Sequence, residues 1–360
     1  MLHAMIMAGG GGTRFWPRSR QKKPKQFLQL GGDRSLIQQA YERLEAAVPP
    51  ERMWVITSEA YRQETQAHLP ALANDHIIGE PVGRDTAPCV ALGAALIIKT
   101  DPEAVMLVSP ADHVIEPVQE FRRAVHAAHE ICKDSPNTFL TFGIPPTYPS
   151  VGYGYIQKGP EAAQKQGLTA YKVSAFKEKP SLDIAQQFFA SGNYFWNSGI
   201  FVWRASTVLA TLKEHKPAMH DAAIRIAAAW DTPERKAVLE TEFAGMEKIS
   251  VDYAVMEKAK EVMVLQTPYK WDDVGSWQAL ERLHPQDADG NTVVASHCGI
   301  RTSNCIIVSD NRNNLTTTIG VENLIIVRDG DALLVADKRD EAGVKQLVDL
   351  LRKRGLELYL

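Results

Sequence analysis

The sequence predicts an α/β fold: a doubly wound, mostly parallel sheet, followed by a small all-β region and a terminal helix. Three observations predict it. Short apolar runs alternate with helix-periodic stretches through the first half of the chain. The first of those runs ends in four consecutive glycines. From about Pro285 the helical period gives way to short strands with Asn and Asp at their corners. With 360 residues the chain can bury a large core, and the expected partition is a large domain over 1–284 and a small one over 285–360.

Taken in order, Met5–Ala8 reads as a buried strand that runs straight into Gly9–Gly12. Ser35 can cap a helix that puts Leu36, Ile37, Ala40, Leu44 and Val48 on one face. Met53–Thr57 is the next buried strand. Thr86 and Pro88 open a helix through Ile98, Val105–Val108 is a strand, Val118–Cys132 a third helix, and Thr138–Phe142 another strand. Such alternation makes a parallel sheet, whose ligands bind beyond the carboxyl ends of the strands. In the last quarter, Asn291–Ala295, Cys305–Val308, Leu315–Ile319, Leu324–Val327 and Ala332–Val335 recur every nine to ten residues, and Glu341–Arg352 is helical. That spacing suits a small β-solenoid or a meander sealed by a terminal helix.

The glycine run is the most informative segment. Glycines let backbone N–H groups approach an anion, and Arg14, Arg18, Lys22, Lys23 and Lys25 concentrate positive charge behind them. Gly9 to Lys25 therefore reads as a long phosphate-holding loop. It is not a Walker loop, because no Gly-Lys-Ser/Thr follows at the required spacing. It is not a dinucleotide fingerprint either, since Arg14 fills the third glycine slot and Pro17 and Pro24 discourage a helix.

A net charge of −3 argues against bulk nucleic-acid binding, so these cations are a local device. Cys89, Cys132, Cys298 and Cys305 lack metal or disulfide spacing and read as reduced core thiols. There is no signal peptide and no run long enough to span a membrane, so a cytoplasmic protein is expected. His126 and His129 lie three apart on a helix without an evident third metal ligand.

Ala8-Gly-Gly-Gly-Gly-Thr-Arg-Phe-Trp-Pro, with Pro24-Lys25-Gln26-Phe27, resembles the signature of the sugar-nucleotide pyrophosphorylases. Trp16 and the Gln26-Phe27 ending resemble their mannose-1-phosphate guanylyltransferase branch, which more often has Ser at the place of Gly11. Further matching strings follow in family order to Trp277, over about three quarters of the chain. The resemblance implies a Rossmann-like sheet of the nucleotide-diphospho-sugar transferase type and a C-terminal left-handed β-helix. It also implies that the isomerase domain of longer relatives is absent. The implied substrates are GTP and mannose 1-phosphate, the implied cofactor Mg²⁺, and the implied assembly a homodimer.

Residue by residue, the resemblance puts Arg14 and Lys25 on the triphosphate. Ala8, Gly9, Gly10, Gly12 and Thr13 join them in contacting the nucleotide, with Glu80, Pro81, Gly83 and Thr86 at the base. A carboxylate such as Glu80 can accept from both N1–H and the 2-amino group of guanine. The branch usually has Asn where Asp85 stands. Asp112 and Asp273 match the family's metal-binding aspartates; read alone, each is a turn or cap residue. Gly152, Glu178, Lys179, Asn197 and Asp252 match the sugar-phosphate site, with Lys179 on phosphate and Glu178 and Asn197 on hydroxyls. The residues leave open another sugar 1-phosphate or nucleotide, and a non-catalytic regulator that binds sugar nucleotide.

Overall fold

The computed structural model describes residues 1–360. The strands and helices of the first part are β1 (Leu2–Ala8), α1 (Leu36–Glu45), β2 (Met53–Ser58), α2 (Arg62–His68), β3 (Ile77–Glu80), α3 (Thr86–Thr100), β4 (Val105–Pro110), β5 (Val114–Glu116), α4 (Val118–Asp134) and β6 (Phe139–Ile144). Then come β7 (Tyr155–Lys165), β8 (Leu168–Lys177), α5 (Leu182–Ser191), β9 (Tyr194–Arg204), α6 (Ala205–His215), α7 (Pro217–Ala228), α8 (Arg235–Gly245), β10 (Val262–Gln266) and β11 (Lys270–Asp272). The last part holds α9 (Leu280–Leu283), β12 (Thr292–Val294), β13 (Ser296–Ser303), β14 (Ile306–Ser309), β15 (Leu315–Glu322), β16 (Leu324–Asp329), β17 (Ala332–Asp337) and α10 (Gly343–Lys353).

By contact density the chain forms two compact units that do not follow its linear order. The first is Met1–Gly9, Ala40–Ala111 and Ile115–Trp271; the second is Gly10–Gln39, Asp112–Val114 and Asp272–Leu360.

The first unit is built on a nine-stranded sheet of order β3-β2-β1-β4-β9-β6-β10-β8-β7. β1 pairs in parallel with β2 and β4, β2 with β3, and β10 with β6, as strand–helix alternation requires. β9 is inserted antiparallel between β4 and β6. Helices cover both faces. Side chains of opposite parity on one strand point to opposite faces; Phe139 meets Trp203 in the cluster around α3 and α6, while Phe142 meets Phe121 of α4. The helix α3 is apolar all round and buried from Ala87 to Ile97, because it lies between the sheet and α6 and α7. Gly93 permits that depth: a Cβ there would stand 2.2 Å from Met5 Sδ.

The second unit contains the β-rich tail. Register pairs Ser296 with Leu315 and Ile306 with Ile325, an offset of 19 residues in both, whereas Thr292 pairs with Ile306 at an offset of 14. The nine-to-ten-residue spacing of the sequence is thus two strands per turn of a β-helix. β12, β14 and β16 stack in parallel with β17 added antiparallel, and β13 and β15 form a second small sheet. Corners are turned at Asn304 and Asn323, both at positive φ, with the Asn304 side-chain amide donating to Asn323 Oδ1. Val344 and Val348 of α10 and the terminal Leu360 complete the core.

That core also takes in Phe15, Trp16, Leu28, Leu30 and Leu36 of the glycine-loop segment, together with Trp277. Trp277 sets its ring edge-on to Phe15, centroids 5.1 Å apart, and donates to the Trp16 carbonyl; Trp16 donates to the Tyr359 carbonyl. Ser35 and Gln38 bond reciprocally as a capping box at the start of α1.

Candidate active site

The predicted residues fall into three groups, each internal to one unit. The first belongs to the second unit and gathers Gly10, Gly12, Thr13, Arg14, Lys25, Asp112 and Asp273. Gly10, Thr13 and Arg14 are exposed. Gly10 and Gly12 have φ of 95° and 57°, a conformation glycine adopts freely. Gly12 also has no room for a side chain, since a Cβ would lie 2.3 Å from Lys25 Cβ and 2.9 Å from its nitrogen. The predicted helix-free loop contains two short 3₁₀ turns, Thr13–Phe15 and Lys25–Phe27; Pro24 immediately precedes the second, where its fixed φ is compatible with a turn.

Lys25 is buried, and its Nζ donates to Asp112 Oδ2 at 2.7 Å and to the Asp273 carbonyl at 2.6 Å. An ammonium has three donors, so one remains for another oxygen. Burial pushes the Asp112 carboxyl up, but Lys25 and His113 beside it outweigh that and hold it below the usual carboxylate range. Arg18 is drawn off instead to Asp329, 3.7 Å away, and Arg20 to Asp331, so part of the basic run fastens the loop to β16 and the turn after it.

Asp273 sits in a turn whose geometry sequence reasoning missed. Val274 is wholly buried at φ 46°, a rare conformation for a β-branched residue. Its N–H donates to Asp272 Oδ1 at 2.8 Å, and Arg282 clamps the Asp272 carboxylate. Gly275 leaves space for the Asp273 carboxylate, which would be 3.1 Å from a Cβ there. Asp-Asp-Val-Gly signals a turn, but nothing in the sequence marks Arg282 as its clamp.

The second group, in the first unit, follows β1 and β3. Ala8 is buried at the end of β1, and its carbonyl accepts from Thr57 Oγ1. Gly9, Pro81 and Gly83 are exposed. Glu80 is buried at the end of β3, and its Oε1 has no partner. Burial pushes its carboxyl up to about 7, partly offset by the hydrogen bond of the Cys89 thiol. An enclosed acid with an unfilled acceptor is the state expected of a group that awaits a ligand donor. Asp85 adopts φ 66° and caps α3 through the Thr86 N–H at 2.8 Å. Thr86 Oγ1 accepts from the Val251 N–H at 2.8 Å, which ties this segment to the third group. The Arg84 guanidinium is turned to the Ala244 carbonyl.

The third group is also in the first unit. Asn197 on β9 accepts from Thr141 Oγ1 at 3.1 Å, and its amide faces Asp252 Oδ1 at 3.4 Å. Asp252 opens a π-helical turn, Asp252–Met256. Burial, with the Glu178 charge adding to it, pushes the Asp252 carboxyl up to about 6. Lys179 is exposed at φ 39° and donates to Glu178 Oε1 at 2.7 Å. Gly152 directs its N–H to Ser150 Oγ; the tighter glycine is Gly154, where a Cβ would be 2.7 Å from Glu178 Oε2. Phe195 and Trp196 are core.

All four cysteines are free, but Cys298 is exposed rather than in the core: it lies on β13, where neighbouring positions face outward. No helix is long and apolar enough to cross a membrane.

Oxygen donors without nitrogen or sulfur suit Mg²⁺, which takes one or two carboxylates and fills its shell with phosphate and water. No group of three or more Asp, Glu, His or Cys side chains is placed to hold a metal ion by itself. Lys25 joins the Asp112 carboxylate to the backbone of Asp273, and two carboxylates from these positions fit an ion that is shared with a bound polyphosphate.

The nucleotidyl transferase family model matches residues 3–290, and that of the MannoseP isomerase/GMP-like β-helix domain matches 295–351. The chain is 39% identical over 360 residues to the mannose-1-phosphate guanylyltransferase of Escherichia coli K12, covering 98% of this chain and 74% of that one. It is 36% identical over 360 residues to the alginate biosynthesis protein AlgA of Pseudomonas putida, covering 99% and 72%. Among solved structures it resembles a Thermus thermophilus protein described as mannose-1-phosphate geranyltransferase, with 35% identity, TM-score 0.85, and 98% and 99% of the two chains covered. A UDP-glucose pyrophosphorylase shares the fold at 17% identity and TM-score 0.51, over 79% of this chain and 97% of that one.

Proposed function

The chain belongs to the nucleotidyl transferase family, among the mannose-1-phosphate guanylyltransferases, and we propose that it joins GTP to mannose 1-phosphate, releasing pyrophosphate and GDP-mannose. The observation that carries the chemistry is Lys25, held between Asp112 and Asp273 with one donor left over.

The sugar phosphate oxygen is already anionic, so no activated Ser or Cys is required. It attacks the α-phosphorus in line while pyrophosphate leaves opposite. Repulsion between two polyanions is the obstacle: a unit-charge pair at ~4 Å repels by about 1 kcal/mol in water and about 4 kcal/mol at an effective dielectric near 20. Neutralising charge is thus the main task of the protein. Arg14 and Lys25 take the triphosphate and stabilise the departing pyrophosphate, with backbone from Gly10, Gly12 and Thr13. Lys179 takes the incoming phosphate, and Glu178, Asn197, Asp252 and the Gly152 backbone read the sugar. Glu80 reads guanine, with Ala8, Gly9, Pro81, Gly83 and Thr86 around the nucleoside. Asp112 and Asp273 hold Mg²⁺, which when bound supplies further neutralisation at the phosphates.

Lys25→Ala and Asp273→Ala should each lower pyrophosphate release by two or more orders of magnitude with an unchanged circular dichroism spectrum. Near-normal turnover in either variant would remove these roles. Crossing nucleoside triphosphates with sugar 1-phosphates in the same assay, with and without Mg²⁺, fixes the substrate pair. A protein that only binds sugar nucleotide would show no turnover anywhere in that matrix.

The proposed setting is the cytoplasm and the proposed assembly a homodimer. Exposed Ile300, Leu315 and Ile319 support the latter, because β13–β15 register places Ile300 beside Ile319 and strand parity puts Leu315 on the same face. Light scattering should give twice the chain mass, reduced to one chain by Ile319→Lys.

A further inference from the structure

We propose that a cavity at the amino ends of β1 and β4 binds a phosphorylated small molecule of about hexose-phosphate size. The cavity measures about 610 Å³, and Leu2 and Val105, the first residues of those two strands, line it. Its polar wall comes from four places in the chain. Arg52 precedes β2, Arg204 ends β9, and Glu103 precedes β4. His126, His129 and Lys133 come from α4, and their spacing of three and four puts them on one side of the helix.

The charge is unbalanced. Three side-chain cations and two imidazoles face a single carboxylate; Arg204 is spent on Glu103, 2.5 Å from its Nη1, and on the Lys133 carbonyl, so the excess charge is that of Arg52 and Lys133. The His129 imidazole registers the field: burial, then Lys133, the terminal ammonium and His126, hold it below its ordinary value despite Glu130 nearby. An anion would relieve that repulsion and find guanidinium, ammonium and imidazole donors in the lining. The volume lies within the roughly 300–1,000 Å³ of small-molecule pockets and exceeds what free phosphate fills. His126 and His129, which lack a third metal ligand, serve here as anion donors.

This is not the candidate active site. β1 runs from Leu2 at the cavity to Ala8 at the glycine loop, a strand length of about 20 Å.

Calorimetric titration of the full chain with a hexose 6-phosphate, and separately with inorganic phosphate, tests it. The comparison variants are His126→Ala/Lys133→Ala, both exposed on α4, and Lys25→Ala in the glycine loop. The hexose 6-phosphate should bind wild type and Lys25→Ala alike, at least tenfold more weakly to the double variant, and more tightly than inorganic phosphate. The double variant should keep wild-type turnover. Affinity unchanged in the double variant, whatever Lys25→Ala does, or no saturable binding to wild type, overturns the site. Equal affinity for the two anions assigns the cavity to free phosphate and overturns the sugar-sized ligand.

Discussion

A carboxyl enclosed like that of Glu80, with one oxygen unpartnered, weakens the fold whenever it ionises. Its folded value near 7 exceeds the unfolded one, so the folded chain binds more protons between them and stability falls as pH rises through that interval. The full loss, reached above pH 7, is about 3 kcal/mol. Glu80→Gln should flatten that slope in denaturant titrations at pH 5 and pH 8, while raising the KM for GTP. An unchanged slope would mean Glu80 is not its source. The string around Glu80 marked it as a candidate, but its burial was not legible, because that depends on how α3, with the Cys89 thiol, folds back on the end of β3. Much the same holds for strain. Asp85, Lys179 and Val274 all have positive φ within matching motifs, yet only glycine advertises that conformation in a sequence.

At the scale of elements, period and punctuation carried most of the information. The alternation that predicted the sheet is present in register, and the Ser35 cap closes with Gln38 as a reciprocal pair. The insertion of β9 antiparallel beside β4 was not legible, since a short apolar run does not state its partner. Nor was the depth of α3. Gly93→Ala should drive Met5 from its place and lower stability by about 1–3 kcal/mol. A melting temperature equal to wild type would show that the contact between α3 and β1 can relax. The β-helix period was visible only as half of itself, because two strands make up each 19-residue turn.

For the molecule as a whole, linear order and contact order part company. The glycine loop, Asp112 and Asp273 belong by contacts with the β-helix, where Phe15, Trp16 and Leu28 share a core with Ile306, Val327 and Val348. A sequence cannot disclose this, since the cohering residues are some 300 positions apart. A chain cut after residue 290 should therefore lose turnover outright, by at least a hundredfold, rather than lose assembly alone; pyrophosphate release from the purified fragment measures it. Retention of activity would show that the loop needs no such support. The shared core also constrains inheritance. A crossover between two homologous genes at the joint of their nucleotidyl transferase and β-helix segments would separate residues 10–39 from the tail that carries them. A working chimera has to draw about its first forty residues, Asp112–Val114 and about its last ninety from one parent, whatever it borrows elsewhere.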